Sequence, residues 1–220
     1  MEFSSIIPSD PTIFQIISLG VYAVLAFLSV YVLTIALFKL IQFARRGVGG
    51  RKEAEGILDD WLNGRVDKAI RNASRRKSVL ARVLQAVFSG VQARPNDKGY
   101  AEELSRQTAM IELAMLNERM RALDMVVQAA PMLGLLGTVV GMIDAFSVLS
   151  VTEGAVDPTL LASGIYVALT TTAAGLSIAL LAFFIATWLE GRIDRERTLM
   201  EALISAAIHG RVDPNSKPGT

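Results

Sequence analysis

Three long stretches of this chain are almost free of charge: residues 11 to 38, residues 125 to 152 with Asp144 as the sole exception, and residues 158 to 189. Each is longer than the about 20 helical residues that cross a bilayer's ~30 Å apolar core. A helix satisfies its own backbone N–H and C=O groups, as lipid demands, so the pattern predicts three membrane-spanning helices. They are expected over about 13–38, 123–150 and 160–189. Between the first two lies a polar segment, about 39–122, with apolar residues such as Ile57, Leu58, Trp61, Leu62 and Val66 at helical spacing. It reads as amphipathic helices. The run Ala93-Arg94-Pro95-Asn96-Asp97-Lys98-Gly99 predicts a turn. From Tyr100 to about Ser150 the only proline is Pro131, which predicts one continuous rod of about 75 Å with a kink near that residue. The third apolar run passes into Glu190-Gly191-Arg192-Ile193-Asp194-Arg195-Glu196-Arg197, so that helix is expected to continue to near His209-Gly210. The remainder of the 190–220 tail, from Pro214 to Thr220, is expected to be disordered. No internal repeat is visible, and the chain reads as one domain, an all-α membrane protein.

Charge orients this pattern. All 22 Lys and Arg residues fall between 39 and 121 or between 192 and 217. Short loops rich in Lys and Arg remain cytoplasmic, so the amino terminus is expected outside, and the middle segment and carboxyl tail inside with the long helices reaching into the cytoplasm. The first apolar run lacks a basic start and is followed by Lys39, Arg45 and Arg46, a stop-transfer pattern; it is expected to be a retained span rather than a signal peptide. A hydrophobic fraction of 52% agrees with lipid as the main solvent. The basic residues could also attract anionic lipid head groups, and no nucleic-acid partner is needed to explain them. With no cysteine and a single histidine, His209, no metal site is expected, and no cofactor. No cluster of nucleophile, base or metal ligands suggests an enzyme.

The second and third spans are joined by only residues 151 to 159, so they must pack antiparallel. Gly134, Gly137 and Gly141 recur at helical spacing on one, and Gly164, Ala168, Thr172, Gly175 and Ala179 on the other. Small residues let membrane helices approach closely. Thr138 lies about 12 residues before the end of its span and Thr172 about 12 after the start of its own, each roughly 18 Å deep. Together with Thr170 and Thr171 they could line a polar path, or each could bond a carbonyl one turn back in its own helix. Asp144, the one ionisable residue inside a span, is a functional candidate by position, although near the outer end it could also reach water or cap a neighbour.

The string Ala130-Pro131-Met132-Leu133-Gly134-Leu135-Leu136-Gly137-Thr138-Val139-Val140-Gly141-Met142-Ile143-Asp144-Ala145-Phe146, followed by Ala162-Ser163-Gly164-Ile165-Tyr166-Val167-Ala168-Leu169-Thr170-Thr171-Thr172-Ala173-Ala174-Gly175-Leu176, closely resembles the paired signature of the ExbB/TolQ/MotA proton-channel family. The match covers residues 125 to 195, and the three-pass order resembles the ExbB/TolQ branch. The resemblance implies a homopentamer whose second and third helices surround a pore holding two single-pass ExbD/TolR-like subunits. Each partner would bring a membrane Asp that carries the proton. It also implies that Thr138 and Thr172 face that acid, and that a TonB/TolA-like envelope protein is a further partner. Two positions depart from the pattern: Val167 stands where ExbB and TolQ proteins commonly carry Glu, and Leu181 where Pro is usual.

The expected function is therefore the channel-forming subunit of an inner-membrane motor driven by the proton-motive force. The expected pathway residues are Thr138, Thr171, Thr172 and Asp144. Alternatives are a scaffold subunit that does not conduct, which Val167 would favour, and a Na⁺-driven stator of the same family. A secondary transporter would show inverted repeats and broken helices, and neither is visible.

Overall fold

The structure, a computed structural model, describes residues 11–151 and 158–211. The connection expected at 151 to 159, apart from its ends, and the tail expected from Pro214 lie outside those residues. Seven helices are described: α1 (Pro11–Arg45), α2 (Arg51–Leu62), α3 (Val66–Arg75), α4 (Val79–Ala93), α5 (Lys98–Asn117), α6 (Met120–Val151) and α7 (Pro158–His209). Among the described residues there is no strand, and the apolar stretches of α1, α6 and α7 are each long enough to cross a membrane. The chain divides into two compact units.

The first unit holds residues up to Ala36 together with Arg119–Thr187. In its part of α1, Val21, Leu25, Val32 and Ile35 form a buried stripe, while Leu19, Phe27, Val30 and Leu33 face outward. A helix apolar on all sides has no water-facing surface, which identifies lipid or other membrane helices as its surroundings. The outward faces of α6 and α7 are equally apolar, with Met132, Leu135, Phe146, Tyr166, Leu169 and Leu180 exposed.

The second unit holds Leu37–Glu118 and Trp188–Thr220. Its core is α4, where Val79, Leu80, Ala81, Val83, Leu84, Val87 and Phe88 are all sealed from solvent. Burying a Leu or Phe stabilises by about 1.5–3 kcal/mol, so this short helix organises the unit. Ser78 caps α4 by accepting from the Ala81 N–H, and Asp97 caps α5 by accepting from Tyr100. The ring of Trp61 stacks on Phe88 at 4.2 Å while its Nε1 donates to Ala207 O. A Cβ on Gly90 would sit 2.6 Å from Ala101 Cα, so only glycine permits this approach of α4 to α5. Glu112 of α5, 5% exposed, accepts from Arg46 (3.2 Å) and Arg82 (2.8 Å). On α2, Asp60 pairs with Lys68 and Arg65; the hydrogen bond from Lys68 is the main cause holding its carboxyl below the usual range.

The continuous rod expected from Tyr100 to Ser150 is not formed. The chain breaks at Glu118–Arg119, where Arg119 adopts φ 67°, and Pro131 lies inside an uninterrupted α6. The physical reason lies in α1. Lys39, fully buried, donates from Nζ to Leu116 O (2.7 Å), and Gln42 Nε2 donates to Met115 O (3.0 Å). These last-turn carbonyls of α5 are thus satisfied from outside the helix, where continuation would have offered backbone N–H groups. The positive end of Lys39 also suits the negative end of the helix dipole. Proline, by contrast, removes only one ladder bond, which the rest of α6 tolerates.

Glu196 is 2% exposed; its Oε1 accepts from the Gly49 N–H and its Oε2 is enclosed without a hydrogen-bond partner. Burial pushes its carboxyl up from 4.5, opposed by the Gly49 bond and by Arg192. An acid whose folded pKa is raised costs stability as pH climbs above its unfolded value, and nothing well below it. Glu196→Gln is therefore expected to melt progressively higher than the parent as pH rises from 4.5, and melting curves across pH 4 to 8 check this. A gap between the two curves that stays constant would show that Glu196 does not titrate differently on folding.

Candidate functional site

The pairing of α6 with α7 follows from what the glycines leave out. A Cβ on Gly134 would lie 3.0 Å from Thr172 Cα, on Gly137 2.7 Å from Thr171 Cβ, on Gly141 3.0 Å from Ala168 Cβ, and on Gly164 2.5 Å from Ala145 Cβ. On Gly175 it would lie 2.5 Å from Ala130 O. Contact positions fall on one helix as they rise on the other, so the helices are antiparallel, and the backbones approach as closely as their atoms allow. Without a hydrophobic drive between helices in lipid, such dispersion contact is a main source of cohesion.

The threonines occupy different faces, since consecutive helical residues are about 100° apart. Thr171, 1% exposed, stands in the seam against Gly137; its Oγ1 donates to Ala168 O (2.6 Å) with Gly134 O at 3.3 Å. Thr172, half-buried, donates across the seam to Gly134 O (3.0 Å). Thr138, also half-buried, donates to Leu135 O in its own helix (2.7 Å). Because Gly137 meets Thr171, Thr138 and Thr172 sit at one level. With the helices antiparallel, both fall on the same flank of the seam. Each hydroxyl spends its proton on a carbonyl, leaving oxygen lone pairs as acceptors.

Thr170 points away from that flank, and Asp144 lies seven residues beyond Gly137, two turns along the same face of α6. Asp144 is half-buried, with Oδ1 enclosed and lacking a hydrogen-bond partner. Thr170 donates to Val167 O (2.7 Å), so the Tyr22 hydroxyl of α1, 2.9 Å away, is placed to donate to Thr170 Oγ1. Tyr22 also lies 3.3 Å from Val167 O. Thus α1 covers the Thr170 flank, and Asp144 is not brought to Thr138 or Thr172. Tyr22 is not marked by the sequence pattern because its partners are 145 and 148 residues away; the available signal was a hydroxyl-bearing ring, one of two with Tyr31, inside an apolar run. Val167, 39% exposed, presents an apolar side chain where the resemblance anticipates an acid. No group of His, Cys, Asp or Glu able to hold a metal occurs among the described residues.

Comparison with known proteins adds weight to this helix pair. An ExbB homolog of Methanothermobacter thermautotrophicus, named as a biopolymer transport protein, is 27% identical over 71% of this chain and 58% of its own length. Biopolymer transport protein exbB1 of Vibrio cholerae is 37% identical over 48% of this chain and 46% of its own. An ExbB-like biopolymer transport protein of Synechocystis is 41% identical over 36% and 32%. The chain thus spans about half the length of the curated relatives it matches. The pattern of the MotA/TolQ/ExbB proton channel family matches residues 74–202, more than half of the chain and including both helices of the seam. A glycine-seamed pair of apolar helices in a multi-pass membrane protein, matched over that length, places the chain in the MotA/TolQ/ExbB proton channel family, in its ExbB branch.

Proposed function

We propose that this chain is the channel-forming subunit of an inner-membrane motor that couples ion flow to movement of an ExbD/TolR-like partner and so energises an envelope process. Five copies would surround a pore lined by α6 and α7, with the amino terminus periplasmic and the carboxyl terminus cytoplasmic. Two single-pass partners, each with a membrane Asp, would occupy the pore, and a TonB/TolA-like protein would receive the work. The transmembrane potential offers about 2.3 kcal/mol per charge per 100 mV.

The observation that carries this reading is the flank holding Thr138 and Thr172. The two residues lie at one level on one flank of the seam, with both hydroxyl protons committed to carbonyls, that of Thr138 within its own helix and that of Thr172 across the seam. Lone pairs so presented accept a hydrogen bond from a protonated carboxyl and offer no donor to its ionised form. They would favour a neutral Asp on the partner as it passes. Thr171 would support this surface from behind by filling the gap at Gly137. Asp144, two turns beyond Gly137 toward the end of α6, would act at a separate point of the ion path.

Val167 favours a second reading, a scaffold subunit without conduction, because an apolar side chain replaces an acid on the third span. Native mass spectrometry of the chain co-expressed with an ExbD/TolR-like protein, joined to proton-flux assays in liposomes, separates the two. A five-to-two complex that carries protons is expected. An assembled complex without flux would favour the scaffold, Na⁺-dependent flux would favour the stator alternative, and a monomer would defeat both.

A further inference from the structure

We propose that the basic residues at the end of α3, together with the turn after α1, form a binding surface for the headgroups of anionic phospholipids. Nothing in the sequence joins these segments: Arg75, Arg76 and Lys77 lie 37 to 39 residues beyond the first apolar run, which ends at residue 38. The fold brings them together. The Val79 N–H donates to Arg46 O (3.1 Å), and Ser78 packs on Gly47, where an added Cβ would lie 2.9 Å from Ser78 Cβ. Gly47 and Gly49 hold φ of 60° and 93°, which keeps the turn tight.

This turn marks where two apolar runs end. On α1 the outward apolar side chains stop at Leu40 and Ile41, a few residues before Arg45. On α7, Trp188 is 51% exposed and Arg192 lies 5.8 Å over its ring. A Cβ on Gly49 would be 3.4 Å from Arg192 Nη2, so the two ends meet. Tryptophan and arginine at the close of a span characterise the headgroup level of a bilayer.

Several acids of this unit are already engaged: Glu112 by Arg46 and Arg82, Asp60 by Arg65 and Lys68, Glu55 by Arg51, and Glu53 by Arg76. Arg45, Arg75 and Lys77 are exposed and have no acid partner among the described residues. Asn72, Arg75 and Arg76 also line a concavity of about 310 Å³. A guanidinium fork matches phosphate oxygens in pairs, which suits the phosphodiester of a lipid headgroup. Its position at the span ends selects lipid over a free anion.

Cations at a helix C-terminus also steady the helix itself, so the test reads lipid and not only stability. The full chain in mixed micelles is titrated with fluorescent phosphatidylglycerol and phosphatidylcholine. Each of Arg75→Gln and Lys77→Gln should lower the preference for phosphatidylglycerol about five-fold, and the pair together about 25-fold. Arg106→Gln, which removes an equal charge elsewhere in the same unit, should leave it within about two-fold. Unchanged preference in the Arg75 and Lys77 variants would overturn the proposal, as would an equal loss in Arg106→Gln. Displacement by millimolar inorganic phosphate would identify a soluble-anion site instead. The proposal does not depend on ion conduction and survives if the pore reading fails.

Discussion

Gly175→Ala should weaken the pairing of α6 with α7 by about 2–3 kcal/mol, the usual cost of forcing a methyl group into a packed interior. The added Cβ meets Ala130 O at 2.5 Å and Gly134 Cα at 3.1 Å, both backbone atoms that cannot rotate away. Relief requires the two helices to separate, which forfeits contacts along the seam from Ala145 to Ala130. Gly20→Ala is the matching control. Nothing lies within 4 Å of the Cβ it would add, so it should be neutral or slightly stabilising through reduced backbone entropy. Unfolding of both variants in the same detergent measures the difference. Equal stability would mean that the glycines do not set the helix spacing.

Thr172→Val should abolish most ion-coupled output, with a loss of at least about ten-fold, while the complex still assembles. Valine keeps the shape of threonine and removes only the hydroxyl. The lost bond to Gly134 O is one of the interhelical hydrogen bonds that average about 0.6 kcal/mol in membranes, so the fold should survive. The proposed function needs the oxygen as an acceptor, and the scaffold reading does not. Thr172→Ser restores the oxygen and should recover output, whereas Thr171→Ser, at a residue enclosed in the seam, should act through packing. Proton flux in liposomes containing the whole complex decides, with assembly checked on the same sample. Full flux in Thr172→Val would remove this residue from the pathway.

Much of the fold was legible because membrane and water impose different rules on one chain. The charge-free runs now lie in α1, α6 and α7, and α7 continues to His209 with Gly210 at φ 84°. Periodicity from 51 to 93 indicated amphipathic helices, and their buried residues Ile57, Leu58, Leu80 and Leu84 carry the core of that unit. The glycine spacing on the second and third spans was likewise readable as two strips. The break at Glu118–Arg119 was not, because its cause is Lys39 and Gln42, more than 70 positions away. The continuation of the helix through Pro131 was readable, and α6 runs through that residue.

The sequence by itself determined that the chain is helical and crosses a membrane, since backbone satisfaction in lipid depends only on local composition and length. It also supplied the small residues that allow close helix approach. Only the tertiary structure decided which threonine faces where: the triplet Thr170-Thr171-Thr172 is divided among Tyr22, the seam and Gly134 O. It also decided that Asp144 keeps Oδ1 enclosed without a hydrogen-bond partner, and that the start of α4 is tied to the turn after α1 through the Val79 N–H and Arg46 O. Facing and proximity between distant segments follow from packing against a partner surface, and no local pattern of residues encodes that geometry.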